Sequence, residues 1–390
     1  MEFGLSSDQR ILVDSLRRFI DRELLPLEEK VELTGRLDPT SATDIFEKSR
    51  ANGFYAMSMP AELGGGGLST LDWIIAEEQF GRTTDILIRR AFGNIYDILL
   101  AATPEQQERW LVPCIHGERT CSIAFTEPEA GSDAGAVRTQ ATPDGDGWVL
   151  NGYKHYISDA HFSDFFVVTA RTKDRDGRGG VSTFIVDKGL AGFQIGADQP
   201  MMGLRGTTHA PLTFDNVRLG SETLLGEQGG GFKLALKTLG RVRLAQVGAR
   251  AIGKAAIVLE KTGQHARNRH QFGKPLAEFL AVQSMLAESA VEISSARLLL
   301  YQTAWLLDQG SDARAQIAMV KLQASELLNR VTDRAVQIHG GSGYSKELPI
   351  ERYYRDARIY RIFDGVSDIQ KQIVARNLRG DASDPYQIAV

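Results

Sequence analysis

The spacing of apolar residues changes twice along the chain. Up to about residue 118 the apolar positions recur at helical spacing, and a Ser6-x-x-Gln9 capping box precedes the first helical face. From about residue 120 to residue 225, short β-prone runs alternate with Asp-Gly and Asn-Gly turns. Helical spacing then returns, and it predicts helices at 232–268, 276–309, 312–338 and 366–379.

This order predicts an α+β fold in three parts. We expect an N-terminal helical domain at 1–118, a central antiparallel β domain, barrel or sandwich, at 119–227, and a C-terminal helical domain at 228–390. A doubly wound nucleotide-binding fold is excluded, because its strands and helices alternate along the chain. The length of 390 residues is sufficient for two or three subdomains.

Charge and cysteine content limit the classes of function. The net charge is −4 with both signs interspersed, so no basic block predicts nucleic-acid binding. The N-terminus shows no signal peptide and the chain no apolar span, so we expect a cytoplasmic protein without a membrane partner. Cys114 and Cys121 lack a nearby histidine pair, which predicts inert thiols and no metal site.

Residues 125–133 form the candidate centre of the molecule. They read Phe-Thr-Glu-Pro-Glu-Ala-Gly-Ser-Asp and follow the apolar pair Ile123-Ala124, which predicts a strand that opens into a tight loop. Small residues and hydroxyls bring backbone N–H groups close to a flat polar ligand. The alternative is a turn that only closes a hairpin, since Glu-Pro and Gly-Ser-Asp are also turn sequences.

This stretch resembles the signature of the acyl-CoA dehydrogenase family, Thr-Glu-Pro, a variable residue, then Ala-Gly-Ser-Asp. The resemblance continues from Leu5 to Arg376, and it implies an N-terminal helical domain, a central β-barrel domain and a C-terminal four-helix bundle. It implies FAD as the cofactor. The flavin-facing residues that it implies are Ile123, Phe125, Thr126, Gly131, Ser132, Tyr156, Ile157 and Ser158. By itself, Tyr156 would be an ordinary core aromatic.

Two further motifs resemble the family's contacts to the FAD of a neighbouring subunit. Arg269 and Phe272 belong to Arg-His-Gln-Phe-Gly, and an arginine fork suits a pyrophosphate. Gln337 and Gly341 belong to Gln-Ile-His-Gly-Gly-Ser-Gly-Tyr, which also reads as a helix C-cap. The resemblance therefore implies an oligomer, most often a homotetramer, with a hetero-oligomer as the alternative.

Asp364 stands where the family carries its catalytic base, which is usually glutamate. The base takes the α-proton of an acyl thioester, and burial would raise an aspartate pKa from about 3.9 toward that task. The alternative is that Asp364 caps the helix beginning at Val366. The substrate contacts that the resemblance implies are Ser132, Arg243, Phe363 and Gly365. The aspartate weakly favours a ring or branched acyl group.

Several positions depart from the family pattern. Leu280, Val366 and Asp368 replace residues that hold the adenosine diphosphate half of FAD, which predicts weaker FAD retention or a partner subunit that completes the site. The interval from Arg243 to Phe272 is one residue longer than usual, so the role of Arg243 stays open. Arg89 and Arg90 lie in a helix that flanks the acyl pocket in this family. We hypothesise that one, Arg90 above all, pairs with a polar or acidic acyl tail, although surface placement is the alternative.

The sequence therefore predicts an FAD-dependent dehydrogenase that introduces a Cα–Cβ double bond into an acyl-CoA or acyl-carrier thioester. The expected electron acceptor is an electron-transfer flavoprotein. Two alternatives remain, namely a flavin-dependent monooxygenase of the same fold and an FAD-poor partner subunit of a hetero-oligomer.

Overall fold

The N-terminal part is helical. The computed structural model of the protein describes residues 4–173 and 179–377. The first helix begins behind Ser6, whose hydroxyl accepts from the Gln9 N–H while the Gln9 side chain accepts from the Ser6 N–H, as the capping box predicts. The helices of this part are α1 Ser7–Phe19, α2 Glu28–Thr34, α3 Pro39–Ala51, α4 Thr70–Phe80, α5 Asp85–Phe92, α6 Pro104–Gln106 and α7 Val112–Ile115.

The central part is one mixed sheet. Its strands are β1 Cys121–Ala124, β2 Gln140–Asp144, β3 Gly147–Ser158, β4 Phe165–Lys173, β5 Gly179–Asp187, β6 Phe193–Ile195, β7 His209–Leu219 and β8 Leu224–Leu225. The strand order is β6-β7-β3-β2-β4-β5-β8, and β1 pairs with β4 in parallel. Most other pairs are antiparallel. Alternate side chains of β3, β4 and β7, such as Leu150, Phe166 and Leu212, form the core on one face.

Helices return after the sheet. They are α8 Gly231–Val242, α9 Arg250–Asn268, α10 Leu280–Asp308, α11 Arg314–His339, α12 Gly341–Tyr344, α13 Ile350–Ile359 and α14 Ser367–Asn377, with a small hairpin of β9 His270–Gln271 and β10 Lys274–Pro275. The long helices α9, α10 and α11 pack on one another through small and branched residues, among them Ala255, Leu300 and Leu328. The three-part order expected from the sequence is confirmed.

A π-helical segment joins α8 to α9. Residues Arg243–Ala249 are wound as π-helix, so the predicted helix at 232–268 is continuous but carries one wide turn. Such a wide turn takes up one additional residue within an α-helix. An extra residue between Arg243 and Phe272, as expected from the sequence, can be taken up in this turn without breaking the helix.

Two details differ from the expected elements. Helix α13 was not expected, because its sequence, Ile-Glu-Arg-Tyr-Tyr-Arg-Asp-Ala-Arg-Ile, is rich in charge, yet Tyr353 and Ala357 are buried. The last helix begins at Ser367, and positions 378–379 of its predicted span lie outside the described residues. Within the described ranges, no helix has the length and apolar character needed to cross a membrane.

Candidate active site

The loop after β1 is held open by a buried glutamate. Glu127, which is 5% exposed, accepts hydrogen bonds from the backbone N–H of Arg138 at 2.6 Å and of Thr139 at 3.1 Å. Lys154 on β3 donates to Glu127 Oε1 at 2.7 Å and to the Phe125 carbonyl at 3.2 Å. These bonds anchor the loop on its buried side. The exposed Gly131 and Ser132 are therefore free to face a ligand.

Lys154 and Glu127 are a buried ion pair. Burial opposes the charge of Glu127, but Lys154 and the backbone donors hold the pKa of Glu127 below its usual value. Burial lowers the pKa of Lys154 to about 8, against the opposing effect of Glu127. Neither residue was predicted as part of the site, although the Glu of the Thr-Glu-Pro motif was the available signal.

The end of β3 presents a strained, uncovered aromatic ring. Tyr156 has a φ of +59° and is 54% exposed, whereas Ile157 is buried. The strand pairing with β7 is irregular between Lys154 and Ile157. A tyrosine in the left-handed region is uncommon and persists where surrounding structure holds it. The adjacent His155 N–H donates to the Thr126 carbonyl at 2.9 Å, so Thr126 lies beside the end of β3 that carries Tyr156 and Ser158.

Asp364 lies in the turn between α13 and α14. It is half-buried, its φ is +53°, and within the described residues no hydrogen bond reaches its carboxylate. Burial raises the pKa of Asp364, and the nearby cations Arg243, Lys321 and Arg89 oppose that rise. The alternative of a helix cap does not fit, because α14 begins three residues later at Ser367 and no bond from Asp364 to its N–H groups is present in the described chain.

Arg243 holds the Asp364 turn in place. Its Nε donates to the Asp364 carbonyl at 2.6 Å. Gly365 has a φ of +94°, and a Cβ there would lie 2.6 Å from Gln370 Nε2 and 3.0 Å from Arg243 Nη2. Only glycine fits this position. Arg243 and Gly365 therefore fix the backbone beside Asp364, and Phe363 packs edge-on against Tyr360.

Electrostatic contacts connect Asp364 to the end of β3. Arg89 contributes to the field at the Asp364 carboxyl, and its Nη1 lies 3.5 Å from Asp159 Oδ2. Asp159 directly follows Ser158. Arg89, on α5 of the N-terminal part, thus lies near both Asp364 and the residue that follows Ser158. Arg89 and Asp159 were not assigned this connecting role from the sequence.

The second predicted group lies apart on the outer side of the helical part. Arg269 and Phe272 sit at the β9–β10 hairpin, and Phe272 is 93% exposed. The rings of His265 and His339 stack at 4.1 Å, which brings this hairpin beside Gln337 and Gly341. In the described part of the chain, no hydrogen bond or ion pair links this group to Asp364 or Ser158.

The positions that depart from the family pattern are mostly exposed. Leu280 is 77% exposed at the start of α10. Asp368 forms an exposed ion pair with Lys371 at 3.0 Å. Arg90 is half-buried, and its guanidinium lies over the Phe162 ring at 5.0 Å from the centroid. The structure thus places Arg90 beside a ring at a cavity wall, and its role in substrate binding stays a prediction.

The residues present fit a flavin dinucleotide. The exposed ring of Tyr156, with Ser158 two residues further along β3 and Thr126 bonded to the adjacent His155, suits a flat ligand with an apolar face and a polar edge. A Cβ added at Gly131 or Gly341 would meet no atom within 4 Å, so the backbone there is open to close approach. Within the described chain the Arg269 guanidinium has no carboxylate partner, as a pyrophosphate contact requires.

Sequence comparison defines the class of protein. Family models for the acyl-CoA dehydrogenase N-terminal, middle and C-terminal domains match residues 6–118, 122–217 and 229–379. The fold and the flavin-compatible face are those of a flavoprotein oxidoreductase that acts on a CH–CH bond with FAD as its cofactor. The chain belongs to the acyl-CoA dehydrogenase family.

Individual relatives cover almost the whole chain. A protein of Clostridium sporogenes named 3-(aryl)acrylate reductase is 37% identical over 377 residues, which are 95% of this chain and 99% of that protein. The caffeyl-CoA reductase-Etf complex subunit CarC of Acetobacterium woodii is 36% identical, over 95% and 98% of the two chains. The structure of butyryl-CoA dehydrogenase from Megasphaera elsdenii has a TM-score of 0.88 at 32% identity, over 97% and 100% of the two chains.

Proposed function

We propose that Asp364 is the base of an FAD-dependent acyl thioester dehydrogenase. The observation that carries this proposal is a half-buried carboxylate with a raised pKa and, in the described chain, no hydrogen-bond partner. A structural aspartate would use its oxygens in bonds to the protein. Asp364 instead keeps both oxygens available to a substrate.

The chain's own residues account for the proton step. An oxygen of Asp364 accepts the α-proton, while the Asp364 backbone N–H supports the negative charge that develops on the thioester oxygen. Arg243 keeps this turn in position through the Asp364 carbonyl. When bound against Thr126 and Ser158, FAD supplies the acceptor for the hydride of the β-carbon. Ser132, at the open end of the loop, contacts the thioester arm.

The partners follow from the same proposal. An electron-transfer flavoprotein accepts the electrons, which agrees with the name of the Acetobacterium relative as part of an Etf complex. A second copy of the chain covers the exposed Phe272 and receives Arg269 and Gln337 at its FAD. The proposed assembly is a homotetramer, and the proposed compartment is the cytoplasm. The Clostridium and Acetobacterium relatives are both named as reductases, so the enzyme can be assayed in both directions, with acyl-CoA and with enoyl-CoA.

The first test is an anaerobic titration of the purified protein with straight, branched and ring-bearing acyl-CoAs. We expect a yellow protein whose visible flavin absorption is bleached by at least one class of acyl-CoA. A colourless protein that turns yellow only with a co-expressed relative would favour the partner-subunit alternative. A yellow protein that no thioester bleaches, and that consumes oxygen when reduced flavin is supplied, would favour the monooxygenase alternative.

The rate of bleaching should depend on pH through Asp364. The base must be ionised to accept a proton, so the rate should rise with pH through a pKa above the ordinary value of about 3.9. Stopped-flow measurement across the acid range gives the midpoint. The variant Asp312→Asn, which changes an exposed carboxylate paired with Arg314, should keep the same profile. A midpoint at or below the ordinary aspartate value would contradict the raised pKa.

A further inference from the structure

A cavity of about 390 Å³ lies where the N-terminal helices meet the sheet. Its walls include Arg89, Asp159 and Phe162, together with the aromatic rings of Phe46 and Tyr55. This volume lies within the range of ordinary small-molecule pockets, ~300–1,000 Å³. The cavity is therefore large enough to take a ring.

The cavity borders the reacting region. Asp159, in its wall, directly follows Ser158, so their Cα atoms are about 3.8 Å apart. Strand β1 begins at Cys121 in the cavity wall and leads toward Phe125 and Thr126. A substrate that enters past Ser132 and places its reacting carbons at Ser158 would thus extend its distal end into the cavity. This step rests on the function proposed above.

The cavity wall next to Ser158 carries an incompletely bonded charge cluster. Arg89 Nε donates to Asp85 Oδ2 at 2.5 Å, and Asp85 Oδ1 also lies 3.3 Å from Arg250 Nη1. Arg89 Nη1 and Asp159 Oδ1 are buried, and each lacks a hydrogen-bond partner. Buried polar atoms without partners are costly, so this pair of one donor and one acceptor is suited to a ligand.

The two unpartnered atoms decide which ligand group fits. The charged residues in the cavity wall are three arginines, Arg89, Arg90 and Arg119, and one carboxylate, Asp159. A carboxylate on the ligand has no proton to donate, so it would leave Asp159 Oδ1 unpartnered beside a second negative charge. A hydroxyl is neutral, accepts from Arg89 and donates to Asp159, so it satisfies both unpartnered atoms.

We propose that the acyl group of the substrate ends in a ring that carries a hydroxyl, which lies in this cavity between Arg89 and Asp159. Phe46, Tyr55 and Phe162 contact the ring, and Arg90 stays stacked on Phe162. Arg89 is thereby a specificity-determining residue. An acidic acyl tail, considered from the sequence for Arg89 or Arg90, is disfavoured because it has no proton to donate to Asp159 Oδ1.

The test compares the holoenzyme on phenylpropionyl-CoA, its para-hydroxyphenyl counterpart and its para-carboxyphenyl counterpart. We expect kcat/KM for the hydroxylated substrate to exceed that of the unsubstituted one by about 10-fold or more, since a site built for a hydroxyl discriminates against its absence. The carboxylate should be the poorest substrate. Equal values for the hydroxylated and unsubstituted rings, or preference for the carboxylate, would overturn the proposal.

A binding measurement separates this proposal from the proposed function. Phenylthioacetyl-CoA and its para-hydroxyphenyl counterpart carry sulfur in place of the β-carbon and cannot be dehydrogenated. Calorimetry should give a Kd about 10-fold lower for the hydroxylated analogue. If no acyl-CoA bleaches the flavin but this preference holds, the proposed function fails and the cavity assignment stands. If an acyl-CoA bleaches the flavin but the two analogues bind equally well, the proposed function stands and the cavity assignment fails.

Variants test whether Arg89 is the source of the preference for the hydroxylated ring. In Arg89→Met the ratio between hydroxylated and unsubstituted rings should fall to about 2-fold or less, because the donor is lost. Asp85 keeps Arg250 as a partner in that variant. The exposed Arg314→Met is the matched control and should keep the wild-type ratio. A ratio is independent of the folded fraction, and if Arg89→Met does not fold, the wild-type Kd comparison decides alone.

Discussion

Asp364→Asn should slow flavin bleaching by acyl-CoA by about 1,000-fold, within the 10²–10⁴ range of a lost general base. Asparagine keeps the size of the side chain but cannot accept the α-proton. The backbone bond from Arg243 to the residue 364 carbonyl does not involve the side chain, so the turn should stay intact. Stopped-flow measurement under anaerobic conditions, with the best substrate of the panel, gives the rate.

Two control variants keep this result interpretable. Asp364→Glu retains a carboxylate that reaches about 1.5 Å further, so it should recover part of the rate that Asp364→Asn loses. Asp312→Asn should leave the rate unchanged. The FAD content of Asp364→Asn should equal that of the wild type, since Asp364 acts on the substrate. A rate close to wild type in Asp364→Asn would mean that another group is the base.

The order of the helical and β parts was predictable because the spacing of the apolar residues differs between them. The β-prone runs of β4 and β5, the helical spacing along α9 to α11 and the turn sequences between the strands are local signals. Helix α13 carries a short signal of this kind, since Ile350, Tyr353 and Ala357 lie at helical spacing, but it was missed among the charged residues. Its charged residues are satisfied by distant partners, such as Glu28 for Arg352 at 2.5 Å, and a sequence pattern cannot show partners that far apart.

The candidate site was predictable where it lies in continuous motifs. The loop at 125–133, the end of β3 and the turn at Asp364 were each identified from adjacent residues. The sequence left the place of Arg243 open, because the count to Phe272 was one residue too long. The π-helical turn at Arg243–Ala249 can take up one extra residue, and the bond to the Asp364 carbonyl gives Arg243 its position.

The part that sequence reasoning missed is made of contacts between domains. Arg89 belongs to α5 and Asp159 to the sheet, and only the packing of the two parts brings them within 3.5 Å. The same holds for Arg250 and Glu77, which are paired at 2.6 Å. An arginine on a helix is most often exposed, so its burial could not be expected from its neighbours in sequence. The substrate specificity proposed above depends on the contact between Arg89 and Asp159.

Glu127→Gln should lower the free energy of unfolding by about 3 kcal/mol and release FAD, because removal of one partner from a buried ion pair leaves the other charge unpaired. Lys154, which is fully buried, would lose its carboxylate, and the N–H groups of Arg138 and Thr139 would lose a charged acceptor. The loop above them carries Thr126, so FAD affinity should fall together with stability.

The matched control for this prediction is Glu129→Gln in the same loop. Glu129 pairs with Arg138 on the surface, where an ion pair contributes about 0–1 kcal/mol, so stability and FAD content should change little. Urea unfolding followed by circular dichroism gives the free energies, and flavin absorbance after gel filtration gives the FAD content. In the double variant that combines Glu127→Gln with Lys154→Met, no unpaired ammonium remains, so part of the lost stability should return. Equal stability of Glu127→Gln and Glu129→Gln would show that Glu127 does not support the loop.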